Sequence, residues 1–422
     1  MLDIVFVLLV VIMVAYLFRH YVFTVTALYY PHRKHHCTQN MKHQPTVSVL
    51  IPAHNEERVI GRILQRMTEL TYPKDRLQIV VIDDASTDGT GEVIDKFVEK
   101  YKSVRVVHRP QEDGGRGKSA ALNEGLKYAT GEIVYCFDAD YYPQRDILEK
   151  LTTYFDDLEI GAVQGRVTVL NEPKTLVTRL VALERIGGYR VDQKARDALQ
   201  LIPQFGGTVG GFRRHLIESL GGWDPNMLAE DTDLTFRAYL AGYKIRYVNE
   251  AECYEEAVED WRSYWHQRCR WAKGHMQCAF KHLWPMIRSK NLRLREKIDG
   301  FLLLNVYFVP ILVGLAWLLG TIIFFTQSSS WAPPCWVPLS IVVYSATGNF
   351  APFFEVGIGA YLDGRKEVCR LVPLLSLLFL YNMVICTKAF LDLCISKVSG
   401  NNHHRWIKTR HNGGCYLGNV LG

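Results

Sequence analysis

The sequence predicts an α/β domain with a mostly parallel, Rossmann-like sheet, joined to an α-helical transmembrane region. Three observations carry this. Short β-branched runs alternate with amphipathic helical stretches between residues 47 and 137, polar clusters follow the runs, and long apolar blocks stand towards both ends of the 422-residue chain. Strands separated by helices of this length need crossover connections, which set them parallel.

From Ile4 to Phe18 the chain is almost unbroken apolar sequence, closed by Arg19 and His20. About 20 such residues cross a hydrocarbon core. No basic region precedes the stretch and no small-x-small site follows it, so residues 1–30 read as a retained anchor rather than a cleaved signal. Val47 to Ile51 (VSVLI) is the first strand, and after Pro52 and AHNEE an apolar spacing of three and four predicts a helix from Val59 through Leu70. Leu77 to Ile82 is a second strand. Asp83 to Thr90 (DDASTDGT) is a polar loop in which Ser86, Thr87 or Asp88 would cap the helix that follows, Gly91 to Tyr101. Val104 to Val107, a helix from Ser119 to Ala129, and Glu132 to Phe137 complete the run, the last strand leading into Asp138. Residues 45–280 thus form one domain. A basic interfacial segment (281–300) follows, then a membrane region (301–396) with apolar blocks at Phe301 to Phe325, Trp336 to Leu362 and Leu371 to Ser396, and a basic tail (397–422).

The net charge of +6 has its excess in His32 to Lys42 and Arg288 to Lys297, beside apolar spans. That is the pattern of a cytosolic membrane face, and without interleaved aromatics it argues against nucleic-acid binding. The ten cysteines show neither CxxC pairs nor metal-ligand spacing, so reduced thiols are expected. The expectation is an integral protein of the plasma (inner) membrane with a cytosolic domain. Three C-terminal spans would leave the basic tail outside, against the charge rule, which makes Phe301 to Phe325, with its Pro310, the candidate for an interfacial or re-entrant segment. Asn349 and Glu355 are polar groups in an apolar block that either line a passage or bond neighbouring helices.

Parallel sheets bind ligands outside the carboxyl ends of their strands. The polar clusters His54 to Glu56, Asp83 with Asp84, and Asp138 to Asp140 all fall there. No GxGxxG and no GxxxxGK[ST] is present, which excludes a dehydrogenase-type dinucleotide fold and a P-loop; Lys118 in GGRGKS is still placed to pair with a diphosphate. Asp138-Ala139-Asp140 offers hard oxygen ligands to Mg²⁺ or Mn²⁺ bridging to a diphosphate, where the cation would stabilise the departing group.

The runs VSVLIPAHNEE, VVIDDASTDGT, GKSAALNEGL and FDADYYP, followed by GGFRR (210–214), GGWD (221–224), AED (229–231) and QRCRW (267–271), together resemble the family 2 inverting glycosyltransferases of GT-A fold, over roughly residues 45–280. The resemblance implies a UDP-sugar donor, with Asp84 on the uridine and Ala53, His54 and Glu56 beside the base. Lys118, Asp138, Gln267 and Arg270 would lie on the nucleotide-sugar side, and Asp140 with Asp138 on the metal. Glu230 and Asp231 are the catalytic candidates, Asp231 as the general base that takes the acceptor proton. QRCRW matches the QxxRW of processive cellulose, chitin, hyaluronan and poly-N-acetylglucosamine synthases, in which Trp271 would be the acceptor platform; Gly207 and Thr208 lie in the acceptor-side loop QFGGT. An amphipathic interfacial helix is the plainer account of Trp261, Trp265, Trp271 and Trp284 among basic residues. HRWIKTR (404–410) resembles a segment that closes over the nucleotide in some members, and as bare chemistry is a basic juxtamembrane tail. Elongation and export of a polysaccharide is the leading expectation. A glycolipid synthase transferring one sugar to a lipid such as diacylglycerol is the alternative, since such enzymes share WHQRxRW. Expected partners are therefore the donor, a glycan or lipid acceptor, membrane lipids, and a second copy or accessory export proteins, but no nucleic acid. The complete set Asp84, Asp140, Asp231 and Arg270 argues against a scaffold with a dead transferase domain.

Overall fold

A computed structural model describes residues 2–30, 44–326, 350–399 and 413. Helix α1 (Leu2–Tyr29) leads to a sheet whose first half follows the expected alternation: β1 (Val47–Ala53), α2 (Ile60–Thr68), β2 (Leu77–Asp83), α3 (Thr90–Lys100), β3 (Val104–His108), α4 (Lys118–Leu126) and β4 (Ile133–Cys136). These four strands lie side by side in the order β3-β2-β1-β4 and run parallel. Successive side chains of a strand point to opposite faces. Val49 and Ile51 therefore meet Ile60, Ile63, Leu64 and Met67 on one side, while Leu50, Val80, Ile82 and Val134 meet Ala121, Leu122, Phe212 and Phe236 on the other. Burial on both faces is why these strands read as continuous apolar runs.

The second half departs from a purely parallel sheet. After β5 (Tyr142–Pro143), α5 (Ile147–Thr152) and β6 (Ile160–Val169), a long helical stretch crosses the domain: α6 (Leu176–Arg185), a π-helical segment (Ile186–Gln193) and α7 (Lys194–Ala198). Then come β7 (Gly210–Arg213), α8 (Arg214–Ser219), α9 (Glu230–Leu240) and β8 (Lys244–Glu255). β7 is antiparallel to both β4 and β6, β8 is parallel to β6, and β5 is antiparallel to β8. The result is a GT-A-like α/β domain with a mostly parallel sheet.

Helix α10 (Trp261–Arg288) starts at Asp260, whose carboxylate accepts from Ser263 N (2.9 Å) and Ser263 Oγ (2.7 Å). α11 (Leu294–Asn305) continues through a 3₁₀ turn (Val306–Phe308) into α12 (Val309–Thr326), and α13 (Ala351–Leu362) and α14 (Leu375–Ser399) follow. Among the described residues three stretches are long and apolar enough to cross a membrane: Leu8–Tyr29, Leu294–Ile322 and Lys366–Ser399. The expected Phe301 to Phe325 block is thus the later part of a longer helical stretch, because its first turns carry Glu296 and Asp299 paired with Lys244 (2.6 Å) and Arg196 (2.8 Å) of the α/β domain. Of the Trp336 to Leu362 block, Asn349 and the residues before it lie outside the described residues. Glu355 bonds a neighbouring helix, its Oε2 lying 2.5 Å from His20 Nδ1 of α1. Polar contacts also tie α14 to α10, through Tyr264 to Asn382 (3.2 Å) and Lys273 to Asp392 (2.6 Å).

Candidate active site

A cavity of about 520 Å³ opens at the carboxyl ends of the strands, and every candidate donor, metal, catalytic and acceptor residue named from the resemblance lines it. Ala53 ends β1, with His54 and Glu56 in the loop beyond; Asp84 follows β2; Lys118 begins α4; Asp138 and Asp140 follow β4. Gly207 and Thr208 precede β7, Glu230 and Asp231 open α9, and Gln267, Arg270 and Trp271 come from α10.

The loops after β1 and β2 are laced together. Asn55 N donates to Ser86 Oγ (2.9 Å), Thr87 N to Asn55 Oδ1 (2.6 Å) and Glu56 N to Thr90 Oγ1 (2.8 Å). Ser86 and Thr87 therefore brace the neighbouring loop instead of capping: α3 has Gly89 at its N-cap without a side-chain cap, while Asp88 Oδ1 accepts from Thr90 N at 3.1 Å. His54 Nδ1 lies 2.7 Å from the Asp84 carbonyl. The Asp84 carboxylate is paired with Arg109; burial raises its pKa and the guanidinium opposes that rise.

Around the centre, charges alternate. Lys118 Nζ stands 2.5 Å from Asp138 Oδ1, and burial, which would lower its pKa, is outweighed by Asp138 and Glu230. Burial and the adjacent Asp231 push Glu230 up to about 7, against the pull of Lys118 and Arg270. Arg270 is lowered by burial and supported by Glu230, Asp231 and Asp138. Gly207 has φ of +80°, and a Cβ there would stand 3.2 Å from Asp231 Oδ2, so the loop passes directly beside that carboxylate. Thr208 is 3 % exposed and its Oγ1 accepts from Asp138 N (3.1 Å), which makes it a support of the DxD turn as well as a lining residue.

Trp271 lies between two guanidiniums, Arg268 at 4.3 Å and Arg185 at 5.2 Å from its ring centre. Arg268 pairs with Glu184, and Arg185 is bidentate to Glu255 (2.5 and 2.9 Å), which also accepts from Tyr141 (2.8 Å). The interfacial reading fits the two ends of α10, where Trp261 at its start and Phe280, Trp284 and Ile287 in its far part are exposed; Arg268 between them is buried. Arg109, Arg185, Gln204 and His275 are site residues that motif reading missed. Only His275 had a signal, since it falls four residues after Trp271 on one helix face.

Deeper in, the cavity is lined by Arg19 of α1, Gly188, Tyr189, Asp192 and Gln193 of the π-helical segment, Arg196, Leu303 of α11, and Val306 and Tyr307 of the 3₁₀ turn beyond it. Arg19 pairs with Asp192 (2.6 Å), and Tyr16 Oη donates to Leu302 O (2.7 Å). Among the described residues no cluster of three or more His, Cys, Asp or Glu is set to hold a metal. Asp138 and Asp140 are nonetheless hard oxygen donors lining the cavity, which fits a divalent cation completed by ligand oxygens. The segment 404–410 lies outside the described residues; Gly413 N donates to Glu256 Oε1 (3.1 Å), beside the cavity.

Residues 44–274 match the family described as "Glycosyltransferase like family 2". The chain belongs to this family. It is 41% identical over 277 residues to the "Probable glycosyltransferase YdaM" of Bacillus subtilis, covering 64% of each chain. It is 35% identical over 268 residues to the "Beta-monoglucosyldiacylglycerol synthase" of a Synechocystis species, covering 63% of this chain and 55% of that protein. The chain thus spans somewhat over half the length of these curated relatives. Among solved structures, the mannosyltransferase PcManGT from Pyrobaculum calidifontis in complex with GDP-Man and Mn²⁺ superposes with a TM-score of 0.59 at 23% identity, over 86% of this chain and 98% of the other, a likeness of fold. The chain is also 30% identical over 260 residues to the "Probable glucomannan 4-beta-mannosyltransferase 6" of Oryza sativa, covering 60% of this chain and 45% of that protein, so the family 2 expectation holds and the processive polysaccharide type is not shown.

Proposed function

We propose that this chain transfers a single sugar from a UDP-sugar to the hydroxyl of a lipid acceptor of the diacylglycerol class, inverting the anomeric centre. The observation that carries this reading is the course of the cavity. It runs from the strand ends past Asp231 to Arg19, Leu303 and Tyr307, where α1 and α11 meet, so its inner end borders two of the three apolar stretches. A lipid with a polar head and an apolar tail suits such a cavity. The name of the Synechocystis relative agrees with it. The three apolar stretches also support an integral membrane protein with its transferase domain on the cytosolic side.

The donor's uridine would lie against His54, Glu56 and Asp84, and its diphosphate against Lys118 and Arg270, both lining the same cavity. Asp140 and Asp138 would hold Mg²⁺ or Mn²⁺, which when bound adds positive charge at the diphosphate. Asp231 takes the proton of the acceptor hydroxyl as its oxygen attacks the anomeric carbon, and the bond to the diphosphate breaks on the opposite side. Lys118 and Arg270 hold the charge of the leaving diphosphate.

Polysaccharide elongation is the second reading, favoured by Trp271 in its QxxRW setting at the acceptor end. The Arg19 to Asp192 pair, both of whose residues line the inner end, counts against a through-channel. The test is full-length protein in nanodiscs with radiolabelled UDP-sugars, Mn²⁺ and diacylglycerol, followed by separation of lipid and polymer fractions. Label in a lipid-soluble monoglycoside is the expected result. High-molecular-weight label sensitive to a glycanase would overturn the lipid reading.

A further inference from the structure

We propose that His275 is a positioning residue for Asp231: the neutral imidazole draws the Thr232 hydroxyl proton to its Nε2 and keeps it off the Asp231 carboxylate. This rests on Asp231 as the base of the transfer.

The geometry fixes the imidazole first. His275 Nδ1 lies 3.0 Å from the Trp271 carbonyl one turn earlier on α10. A carbonyl only accepts, so Nδ1 carries the hydrogen and the neutral ring presents a lone pair at Nε2. The Tyr307 ring, 4.5 Å away centre to centre, packs against the imidazole. Two groups face Nε2: Thr232 Oγ1 at 3.2 Å and Gln204 Nε2 at 3.3 Å.

Gln204 Nε2 also donates to Thr232 Oγ1 at 2.5 Å. With that acceptor position filled, the one proton of the Thr232 hydroxyl has two destinations, His275 Nε2 or Asp231 Oδ1 at 3.3 Å. Asp231 Oδ1 already accepts from Thr232 N (2.6 Å), and Oδ2 is the oxygen that faces Gly207 and the open cavity.

A neutral His275 takes the hydroxyl proton, leaving Asp231 with a single internal hydrogen bond. A protonated His275 has no lone pair at Nε2; it donates to Thr232 Oγ1, which turns the hydroxyl proton onto Asp231 Oδ1. Extra hydrogen bonds to a carboxylate favour its charged form and oppose its taking a proton. The charged and titratable groups around the ring are Asp231 on α9 and Tyr307 in the 3₁₀ turn after α11. Burial lowers the His275 pKa and Asp231 opposes this, so the ring is neutral at physiological pH.

The test uses full-length protein in nanodiscs with UDP-glucose and diacylglycerol as probes. In His275→Phe the ring contact with Tyr307 remains but the lone pair is gone; kcat should fall about 30-fold or more with the donor KM within about twofold. His275→Gln offers an oxygen that accepts from Thr232 and does not titrate. It should recover most of the kcat that the Phe variant loses, and should lack the wild-type decline in kcat on the acid side that protonation of His275 produces. Glu230 is present in all three proteins, so the difference between pH profiles isolates His275. Unchanged kcat in His275→Phe, an acid decline in His275→Gln that coincides with wild type, or lost UDP binding in both variants would overturn the proposal. Asp231→Asn separates the two readings, because undiminished turnover in that variant refutes Asp231 as base whatever His275 does.

Discussion

Replacing Gly207 with alanine tests the link between loop conformation and catalysis. At φ +80° an L-residue pays roughly 1–2 kcal/mol for left-handed backbone. The new Cβ would also stand 3.2 Å from Asp231 Oδ2 and 3.4 Å from Asp231 Cβ, so one of the two groups must move by a few tenths of an ångström. The fold tolerates this, since a destabilisation of about 2 kcal/mol is small beside typical stabilities of about 5–15 kcal/mol. Catalysis is less tolerant. A 1 Å misplacement of a reacting group costs on the order of 10²-fold, so a shift of a few tenths should lower kcat about threefold to tenfold. Donor affinity should stay within about twofold, because the uridine and diphosphate side of the cavity is left alone. Thermal unfolding, UDP titration calorimetry and initial rates on the same preparation separate these effects. A lowered melting temperature with unchanged kcat would refute the inference that the loop sets the position of Asp231, and equal losses in kcat and UDP affinity would show the damage to be general.

Asp140→Ala should abolish the dependence of UDP affinity on Mn²⁺; calorimetry showing the same metal-dependent gain in variant and wild type would remove Asp140 from the metal site. If Trp271, whose ring has Arg268 at 4.3 Å and Arg185 at 5.2 Å, is the acceptor platform, Trp271→Ala should raise the acceptor KM more than the donor KM, and an equal rise in both would remove it from that role. Glu230 keeps its proton up to about 7 in the folded chain but loses it earlier when unfolded, so its penalty is absent at acid pH and grows as pH rises through that window. Glu230→Gln should therefore raise the melting temperature relative to wild type at about pH 8 and lose most of that advantage by about pH 4.

Strands β1, β2 and β4 were legible because burial on both faces forces continuous β-branched runs, and the groups just past the strand ends were legible because sheet geometry gathers them on one edge. The antiparallel half was not. β8 reads KIRYVNEAECYE, with charged and amide groups throughout, and β7 is four residues, GGFR, too short for a period to show. The partners of the site residues were hidden for a different reason. Arg185 meets Glu255 across 70 positions and Arg109 meets Asp84 across 25, distances that only the folded chain closes.

The start of the first C-terminal helix was hidden in the same way, by partners distant in sequence. An apolar scan starts the first C-terminal block at Phe301, yet the helix begins at Leu294 and its polar turns are tied into the α/β domain through Glu296 and Asp299. Those ties carry the helix across the inner end of the cavity, so that Leu303, Val306 and Tyr307, apolar enough to read as membrane residues, form a wall of the site. On the lipid-acceptor reading proposed here, one helix both anchors the chain and borders the acceptor. A chain truncated after residue 300 would keep Asp84, Lys118 and Arg270 but lose that wall and the Tyr307 ring against His275. It should bind UDP with near-normal affinity and fail to transfer to lipid even when diacylglycerol is supplied in micelles; transfer at the full-length rate would show that these residues serve only as an anchor.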